Sequence, residues 1–478
     1  MSEPAMSEIA MKPIHELAPL IERREVSPVE VTREALARIQ ALDGRLHAFI
    51  TLRAEQALGE ARAAEAEIAA GGYRGPLHGV PIGIKDNIAV AGWPTTNGSA
   101  LMTDHVTDFD AAVVERLRGA GAVVVGKNNM HEWAAGSGTN PAAPFGAVQN
   151  PWKAGYIPGG SSGGSAAAVS SSLIFGSVGT DGMGSIRMPA AYCGVVGLKP
   201  TYGLVSRFGE LPPTSSTSDH LGPIAKDVRD AALLLQLLAG HDQRDPTSLR
   251  SEAKDYTASL EQGVQGLRIG VPQNFFFEQS TAEVQDAVMR AVDVLGSLGA
   301  EVRPVSIPSL QYMPLVGAAA ANESRAFMLP FALQGPHTFS DQSIWERVIT
   351  GEFVRQPEAL KAARLRNLMR QEFRAAMEIA DVLAMPTIVA PAFPIERQGD
   401  LPAGFRDPVS LTTALTYPFN LIGMPAISVP CGFSAEGLPL GLMLAARHWE
   451  DDLLLRVAYA YEQAATGGYQ APPIANEI

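Results

Sequence analysis

Segments with helical periodicity alternate with short apolar runs along most of the chain. Ser27 to Glu30 combines a capping box with proline at the first helical position, which predicts that a helix begins there. An alanine-rich segment at 53–70 predicts a second helix that ends at a pair of glycines. The apolar run at 79–88 is short and carries one lysine, Lys85, and it predicts a buried strand.

The same alternation continues toward the C-terminus. Helical patterns cover 111–119, 165–173, 226–238, 282–298 and 451–463. Strand patterns cover 122–126, 177–180, 267–271, 301–307, 382–388, 426–430 and 440–445. The stretch at 309–380 is mostly helical in pattern and has no strand signal of its own. Strands that alternate with helices predict an α/β fold, in which helices flank a sheet and one helical insertion interrupts the core.

Composition narrows the class of protein and its surroundings. The chain has 478 residues, 46% of them hydrophobic, which is enough for a large buried core. The formal charge of −13 and the absence of a Lys/Arg-rich run predict that nucleic acid is not a partner. Cys193 and Cys431 are too few for a disulfide framework. No signal peptide and no membrane-spanning run are recognisable, so we expect a cytoplasmic protein that does not bind a membrane.

Two glycine- and serine-rich stretches, at 158–168 and 179–190, look like parts of one built site. Glycine costs backbone entropy unless the chain needs positive φ or close approach to a ligand. Ser185 lies in the second stretch, just before a helical turn predicted at 186–192. Main-chain N–H groups converge at such a turn, so we predict an oxyanion hole formed by Gly182, Met183, Gly184 and Ser185.

A serine hydroxyl is a weak nucleophile and needs a base within hydrogen-bond reach, directly or through a relay. None of the nine histidines lies in a recognisable catalytic context. Lys85 is an isolated lysine in an apolar strand, where loss of solvation lowers the pKa of an amine and populates its neutral form. Lys85 is therefore the candidate base.

Three motifs carry a resemblance to a known family. They are Gly-Val-Pro-Ile-x-x-Lys-Asp at 79–86, Gly-Gly-Ser-Ser-Gly-Gly-Ser at 159–165, and Gly-Thr-Asp-x-x-Gly-Ser-Ile-Arg-x-Pro-Ala at 179–190. In these motifs, and in shorter matches over most of its length, the chain resembles the amidase signature family. The match is weakest at about 305–380.

The resemblance implies a fold, a catalytic triad and a domain organisation. The family fold is a central mixed β-sheet covered by helices on both faces, here a single domain over 1–478. The divergent helical insertion at about 305–380 is expected to line the substrate pocket. By motif position the triad falls on Lys85, Ser161 and Ser185, with Ser161 held by an unusual cis peptide bond. The family needs no metal and no organic cofactor.

Residues around the triad are assigned supporting roles. Asp181 and Arg187 are expected to form an ion pair that braces the nucleophile loop, and Ser162 to support the neighbouring loop by hydrogen bonds. The family commonly has glycine where this chain has Met183. A methionine there must accept an ordinary φ or shift the loop, and its side chain can add an apolar wall to the pocket.

Two interpretations of other classes remain open beside the main one. The segment at 160–164 also fits the G-x-S-x-G nucleophile elbow, which would make Ser162 the nucleophile of an α/β-hydrolase-type esterase. That elbow follows a strand, and the residues at 154–158 make a poor one. A catalytically inactive binding protein of the same fold would usually lack a triad member, and all three are present.

The substrate is predicted from apolar side chains. Those expected to line the pocket are Met130, Met183, Tyr312, Phe327 and Phe331. They favour apolar or aryl amides, anilides or carbamates, with some esters, cleaved by a monomer or homodimer that acts on a small molecule. The alternative is the glutaminase subunit of a tRNA-dependent amidotransferase. That subunit typically carries Ser-Ala-Gly-Tyr-Tyr-Asp where this chain has 351–358, and the difference favours the first interpretation.

Overall fold

One mixed sheet of eleven strands forms the centre of the molecule. The computed structural model describes residues 6–136, 138–212, 217–252, 254–320, 323, 325–397, 413–465 and 468–478. In chain order the strands are β1 Phe49–Leu52, β2 Pro81–Lys85, β3 Val123–Asn128, β4 Gly176–Thr180, β5 Val196–Lys199, β6 Leu221–Ala225, β7 Arg268–Pro272, β8 Glu301–Val305, β9 Val382–Pro386, β10 Ala426–Phe433 and β11 Pro439–Ala446. Across the sheet they lie in the order β1-β3-β2-β4-β6-β5-β10-β11-β9-β7-β8.

Parallel pairing at both ends of the sheet flanks an antiparallel middle. Strand β2 pairs in parallel with β3 and β4, and β7 pairs in parallel with β8 and β9. The pairs β4–β6, β6–β5, β5–β10, β10–β11 and β11–β9 are antiparallel, as is the edge pair β1–β3. Because β2 and β4 are parallel neighbours, their last residues, Lys85 and Thr180, lie at the same edge of the sheet.

Fifteen α-helices accompany the sheet within the described residues. They are α1 Met6–Met11, α2 Ile14–Glu22, α3 Pro28–Leu46, α4 Ala54–Ala69, α5 Ala112–Gly119, α6 Gly163–Ser170, α7 Arg187–Cys193, α8 Val228–Leu238, α9 Ala282–Ser297, α10 Met313–Ala320, α11 Arg325–Ala332, α12 Gln342–Gly351, α13 Gln356–Ile379, α14 Tyr417–Ile422 and α15 Asp451–Ala465. None of these helices combines the length and the apolar composition that crossing a bilayer demands.

Alternating side chains along the strands fill separate cores on the two faces of the sheet. Leu442 and Leu444 of β11 belong to the core packed by α2, α5, α8, α9 and α15. Met443, between them, belongs to the opposite core, which is packed by α10, α13 and α14. At the other end of the sheet, α3, α4 and α6 cover that second face. The predicted α/β class, with a mixed sheet covered by helices on both faces, is confirmed.

Most predicted elements are present with their ends shifted by one to three residues. Helix α3 begins where the sequence predicted, with both hydrogen bonds of the capping box between Ser27 and Glu30. The two central strands β5 and β6 were not predicted. Each is short, and Gly197 in β5 and the Gly222-Pro223 pair in β6 weaken the strand signal. These segments are strands because tertiary packing buries them on both faces of the sheet, which a local pattern does not show.

The stretch after β8 is helical, as predicted. Helices α10 to α13 occupy 313–379, and the described residues between β8 and β9 contain no strand. Helices α11 and α12 pack around the fully buried Trp133, which lies in the loop after β3. The insertion is therefore attached to the core through an aromatic contact.

A buried leucine on β11 and an exposed leucine on α13 provide a matched test of this core. Leu444 is fully buried in the sheet, whereas Leu360 is 54% exposed. Leu444→Ala should lower the free energy of unfolding by roughly 2–5 kcal/mol, because it removes apolar contacts and leaves a cavity. Leu360→Ala should change it by less than about 0.5 kcal/mol. Urea denaturation measures both, and equal losses would contradict the packing described here.

Candidate active site

Lys85 is the last residue of β2 and lies at the centre of the candidate site. Ile82 and Ile84 of the same strand face the core on one side, so Lys85 projects to the other. Its side chain is fully buried. The Nζ atom donates hydrogen bonds to Ser161 Oγ at 2.7 Å and to Thr180 Oγ1 at 2.7 Å. The amine thus contacts two hydroxyl groups.

Burial sets the charge state of this amine. Burial lowers the pKa of Lys85 to about 7, and the more distant carboxylates of Glu210, Asp181 and Asp219 offset this only in part. Lys127, on the adjacent strand β3, is equally buried but forms an ion pair with Asp86, with Nζ 3.3 Å from Oδ1. Lys85 forms no such ion pair with any described carboxylate. Its amine can therefore act as a base near neutral pH.

Ser161 lies in the loop that precedes α6, and its side chain is fully buried. The Gly160–Ser161 peptide bond is cis, as the family resemblance implied. The Ser161 carbonyl accepts a hydrogen bond from the His131 amide at 3.1 Å. Ser162, the next residue, donates its hydroxyl hydrogen to the Thr180 carbonyl at 3.2 Å. Residues 138–162 contain no strand of the sheet, which argues against Ser162 in a nucleophile elbow.

Ser185 lies between β4 and α7 and is 7% exposed, whereas Lys85 and Ser161 are at 0%. Its carbonyl accepts a hydrogen bond from the Ser162 amide at 3.2 Å, which ties the two serine loops together. Its hydroxyl group makes no hydrogen bond with any described residue. The structure therefore brings Lys85 and Ser161 into contact and holds the loop of Ser185 against the loop of Ser161, through the bond between the Ser162 amide and the Ser185 carbonyl.

The main chain ahead of Ser185 offers three free N–H groups. The Gly184 amide, which we predicted to bind the oxyanion, instead donates to Asp181 Oδ1 at 2.7 Å. The amides of Gly182, Met183 and Ser185 have no acceptor among the described residues. The predicted oxyanion hole therefore has these three amides as its remaining candidate donors, because the Gly184 amide is bonded to Asp181.

Asp181 and Arg187 form the buried ion pair that the sequence predicted. Arg187 Nη2 lies 2.9 Å from Asp181 Oδ1, and both side chains are fully buried. Burial alone would raise the pKa of Asp181, but the Arg187 guanidinium and its hydrogen bonds hold the pKa well below its usual range. Asp181 also accepts the Ile186 amide at 3.1 Å. One carboxylate therefore fixes both sides of the loop that carries Ser185.

Met183 keeps an ordinary φ, because the left-handed backbone falls on the next residue, Gly184, at φ 129°. The Met183 carbonyl accepts a hydrogen bond from Thr416 Oγ1 at 2.6 Å. Its side chain is partly buried against the core formed by α10, α13 and α14. The methionine is accommodated without strain at its own position.

Sequence reasoning missed three polar side chains that support the site. Thr180 accepts from Lys85, and Asn420 of α14 donates to Asp181 Oδ1 at 2.8 Å. Thr416 holds the Met183 carbonyl. Thr416 and Asn420 are four residues apart, at helical spacing, in an otherwise apolar segment, and this pattern was the available signal.

The five predicted pocket residues do not form one wall. Phe327 and Phe331 pack on Trp133, with ring centroids 5.7 Å and 5.3 Å from it. Met130 is buried, and Tyr312 is 37% exposed in a separate turn. Apolar side chains of the insertion thus pack on Trp133 and, from α10 and α13, on one core of the sheet.

One group of side chains has the spacing of a metal site. His15 Nδ1 lies 3.1 Å from Asp230 Oδ1 and 3.4 Å from Asp227 Oδ2. Asp227 already caps α8 by accepting the Asp230 amide at 2.8 Å. The group links α2 to the start of α8, and its ion pairs and capping bonds account for the arrangement.

Comparison with known proteins places this geometry in a family. The family model described as Amidase matches residues 30–455. The A subunit of the glutamyl-tRNA(Gln) amidotransferase from Syntrophobacter fumaroxidans is 43% identical over 478 residues, covering 94% of this chain and 96% of that one. The crystal structure of the A subunit of the glutamyl-tRNA(Gln) amidotransferase from Thermotoga maritima is 32% identical, covers 98% of both chains and has a TM-score of 0.80.

A further solved structure belongs to work on an unexpected vestigial protein complex and the evolutionary origins of an s-triazine catabolic enzyme. It is 33% identical, covers 96% of this chain and 99% of that chain, and has a TM-score of 0.90.

These comparisons correct the prediction about substrate and partner. We predicted an apolar or aryl amide or carbamate as substrate, no nucleic acid, and a monomer or homodimer, and this is wrong. The relatives are named as subunits of an amidotransferase for glutamyl-tRNA(Gln). The segment at 351–358, which differs from the typical subunit, is a small part of the chain, whereas the alignment covers 94% of it. The local difference is therefore the weaker evidence. Of the aromatic side chains that suggested an apolar pocket, Phe327 and Phe331 pack on Trp133.

The family model and the relatives span the strands, the serine loops and the insertion together. The chain belongs to the amidase signature family and is an amidohydrolase that cleaves C–N bonds.

Proposed function

We propose that this chain is the glutaminase subunit of a tRNA-dependent amidotransferase. It hydrolyses the side-chain amide of glutamine and passes the ammonia to a partner subunit that holds glutamyl-tRNA(Gln). The observation that carries the catalytic part is the buried Lys85 amine, 2.7 Å from Ser161 Oγ and without a carboxylate partner among the described residues. The choice of glutamine follows from the names of relatives that are 41–43% identical over most of the chain.

The first half of the reaction forms an acyl-enzyme. Ser185 Oγ attacks the carbonyl carbon of the amide, its proton passes to Ser161 Oγ, and the Ser161 proton passes to neutral Lys85. This relay requires the free Ser185 hydroxyl to turn toward Ser161. When the C–N bond breaks, the proton returns from Lys85 through Ser161 to the leaving nitrogen, which departs as ammonia. Ser185 is left as an ester of the acyl group.

Water completes the cycle by the reverse route. A water molecule gives a proton through Ser161 to Lys85 as its oxygen attacks the ester carbonyl. Collapse of the second tetrahedral intermediate releases the carboxylic acid, and the proton returns to Ser185 Oγ. Lys85 ends each half-reaction neutral, so the site is ready for another substrate.

The main chain supplies the electrostatic stabilisation. In each tetrahedral intermediate the carbonyl oxygen becomes negative, and fixed donors stabilise it more than they stabilise the substrate. The free amides of Gly182, Met183 and Ser185 are the donors nearest the nucleophile in sequence. The ion pair of Asp181 with Arg187 holds them in place before substrate arrives. The mechanism therefore uses donors that need no rearrangement.

The first prediction from this mechanism concerns the pH dependence of the reaction. Because the folded pKa of Lys85 is lowered to about 7, the amine is protonated and inactive below that pH and neutral above it. The value of kcat/KM for glutamine should rise with pH through about 7 and then level off, and Lys85→Met should abolish activity. Burial also lowers the pKa of Lys226 to about 7. Lys226→Met is therefore a matched control, in which kcat/KM should still rise with pH through about 7. If kcat/KM of the unmodified protein does not change from pH 5.5 to 9, Lys85 is not the base.

The second prediction distinguishes Ser185 from Ser162 as the nucleophile. Ser185→Ala should reduce glutamine hydrolysis by at least ~10³-fold without changing the melting temperature, because the covalent step is lost. Ser162→Ala removes one hydrogen bond to the Thr180 carbonyl and should cost about tenfold or less. The reverse ranking in an ammonia-release assay would transfer the nucleophile to Ser162.

The third prediction addresses the substrate. L-Glutamine should release ammonia, and hydroxylamine added during turnover should yield γ-glutamyl hydroxamate, because it intercepts the acyl-enzyme. Asparagine, one methylene shorter, and acetanilide should be poorer substrates by kcat/KM. Turnover of acetanilide without turnover of glutamine would reject the glutaminase assignment while leaving the Lys85 and Ser185 predictions open to the same tests on that amide.

A further inference from the structure

A cleft of about 810 Å³ opens beside α13. Its walls come from α13, from the turn after α14 and from the segment that follows β11. Lys85, Ser161 and Ser185 do not line it. The volume is within the range of small-molecule sites, and the proposed glutaminase reaction gives this cleft no role.

The cleft is cationic in a protein whose formal charge is −13. Arg366, Arg370 and Arg374 line it from α13 at intervals of four residues, so they share one face of the helix. Like charges at this spacing repel one another, and the carboxylate of Glu323 offsets part of that repulsion at Arg366. Glu378 is the acidic side chain among the described lining residues.

Arg447 also lines the cleft, so four arginines surround it. Two of them, Arg366 and Arg447, bind main-chain carbonyl groups of the fold. Arg366 donates to the Thr217 carbonyl at 2.8 Å and also to the Leu421 carbonyl. Arg447 donates to the Ala380 carbonyl at 2.9 Å. These guanidinium groups hold α13 against the core.

The other two arginines are open. Arg370 has Asn367 Oδ1 as its hydrogen-bond partner, at 3.4 Å, and Arg374 makes no hydrogen bond or ion pair with any described residue. Both side chains are exposed on the cleft side of α13. Two planar guanidinium groups one helical turn apart suit the oxygens of a phosphate group, which each can bind in bidentate fashion.

His448 adds an acceptor beside these charges. Its Nε2 atom lies 2.9 Å from the Ile422 carbonyl and donates to it, which leaves Nδ1 free. Burial lowers the pKa of His448, and the charges of Lys199, Arg370 and Arg374 lower it further. A neutral ring with a free Nδ1 can accept a hydrogen bond from a ligand hydroxyl.

Two flat rings complete the lining. Tyr202 and Trp449 both face the cleft. Trp449 has a left-handed backbone with φ 68°, which is uncommon for a bulky residue. Thr201 Oγ1 holds its amide at 3.0 Å, and Lys254 Nζ holds its carbonyl at 2.7 Å. The backbone of Trp449 is thus fixed at the cleft, where aromatic rings can stack on a planar ligand.

We propose that this cleft binds a phosphate ester that carries a planar ring, the chemistry of a mononucleotide. Arg370 and Arg374 hold the phosphate, His448 accepts a ribose hydroxyl, and Tyr202 and Trp449 contact the base. The site is separate from the amide-cleaving centre, so its test does not depend on the proposed glutaminase activity.

The experiment is calorimetric titration of the full chain with AMP, inorganic phosphate and adenosine at low salt. AMP should bind more tightly than either of its parts, and the affinity should fall as salt is added. Arg370→Ala combined with Arg374→Ala should weaken AMP binding by at least about tenfold, because two charge-assisted contacts are lost. Both side chains are exposed, so the melting temperature should not change.

The matched control is Lys361→Ala combined with Arg364→Ala. It removes the same charge from exposed positions of the same helix that do not line the cleft, and it should leave AMP binding unchanged. A short oligoadenylate that competes more tightly than AMP would place the nucleotide in an RNA strand, and weaker competition would indicate a free nucleotide. Absence of AMP binding at millimolar concentration, adenosine binding as well as AMP, or equal losses in both double variants would overturn the proposal.

Discussion

The buried ion pair between Asp181 and Arg187 is the constraint on which the nucleophile loop depends. Asp181 accepts the amides on both sides of Ser185, and Arg187 extends the same network to α14 through Asn420. Removing one partner of a buried pair leaves an uncompensated charge, at a cost of about 3–5 kcal/mol. The pair therefore fixes the main chain on both sides of Ser185, and the loop needs no ligand to take that shape.

Two buried lysines on neighbouring strands differ in their partners and therefore in their roles. Lys127 has a carboxylate beside it and can remain charged, whereas Lys85 contacts only the hydroxyls of Ser161 and Thr180 and a carbonyl. A hydroxyl accepts a hydrogen bond but carries no charge to offset that of the amine. Burial lowers the pKa of both amines, but Asp86 opposes that effect at Lys127, whereas Lys85 has no adjacent carboxylate among the described residues and its pKa falls to about 7.

The parts of the site that short motifs encode could be predicted, and the parts that tertiary contacts decide could not. Lys85, Ser161 and the ion pair with Asp181 each lie within a motif of a few residues. Asn420 reaches Asp181 from 239 residues away along the chain, and no local pattern indicates that contact. The pocket residues stay a prediction for the same reason, because an apolar side chain such as Phe331 suits a buried core and a substrate site equally well in sequence.

Gly184 and Thr416 cannot vary independently. A Cβ atom at 184 would lie 2.0 Å from Thr416 Oγ1, and the backbone there has φ 129°. The same threonine oxygen holds the Met183 carbonyl. A side chain at 184 would thus need a smaller neighbour at 416 and another donor for that carbonyl at once. In this chain, a change at 184 alone therefore meets a steric clash, and a change at 416 alone loses the hydrogen bond to the Met183 carbonyl.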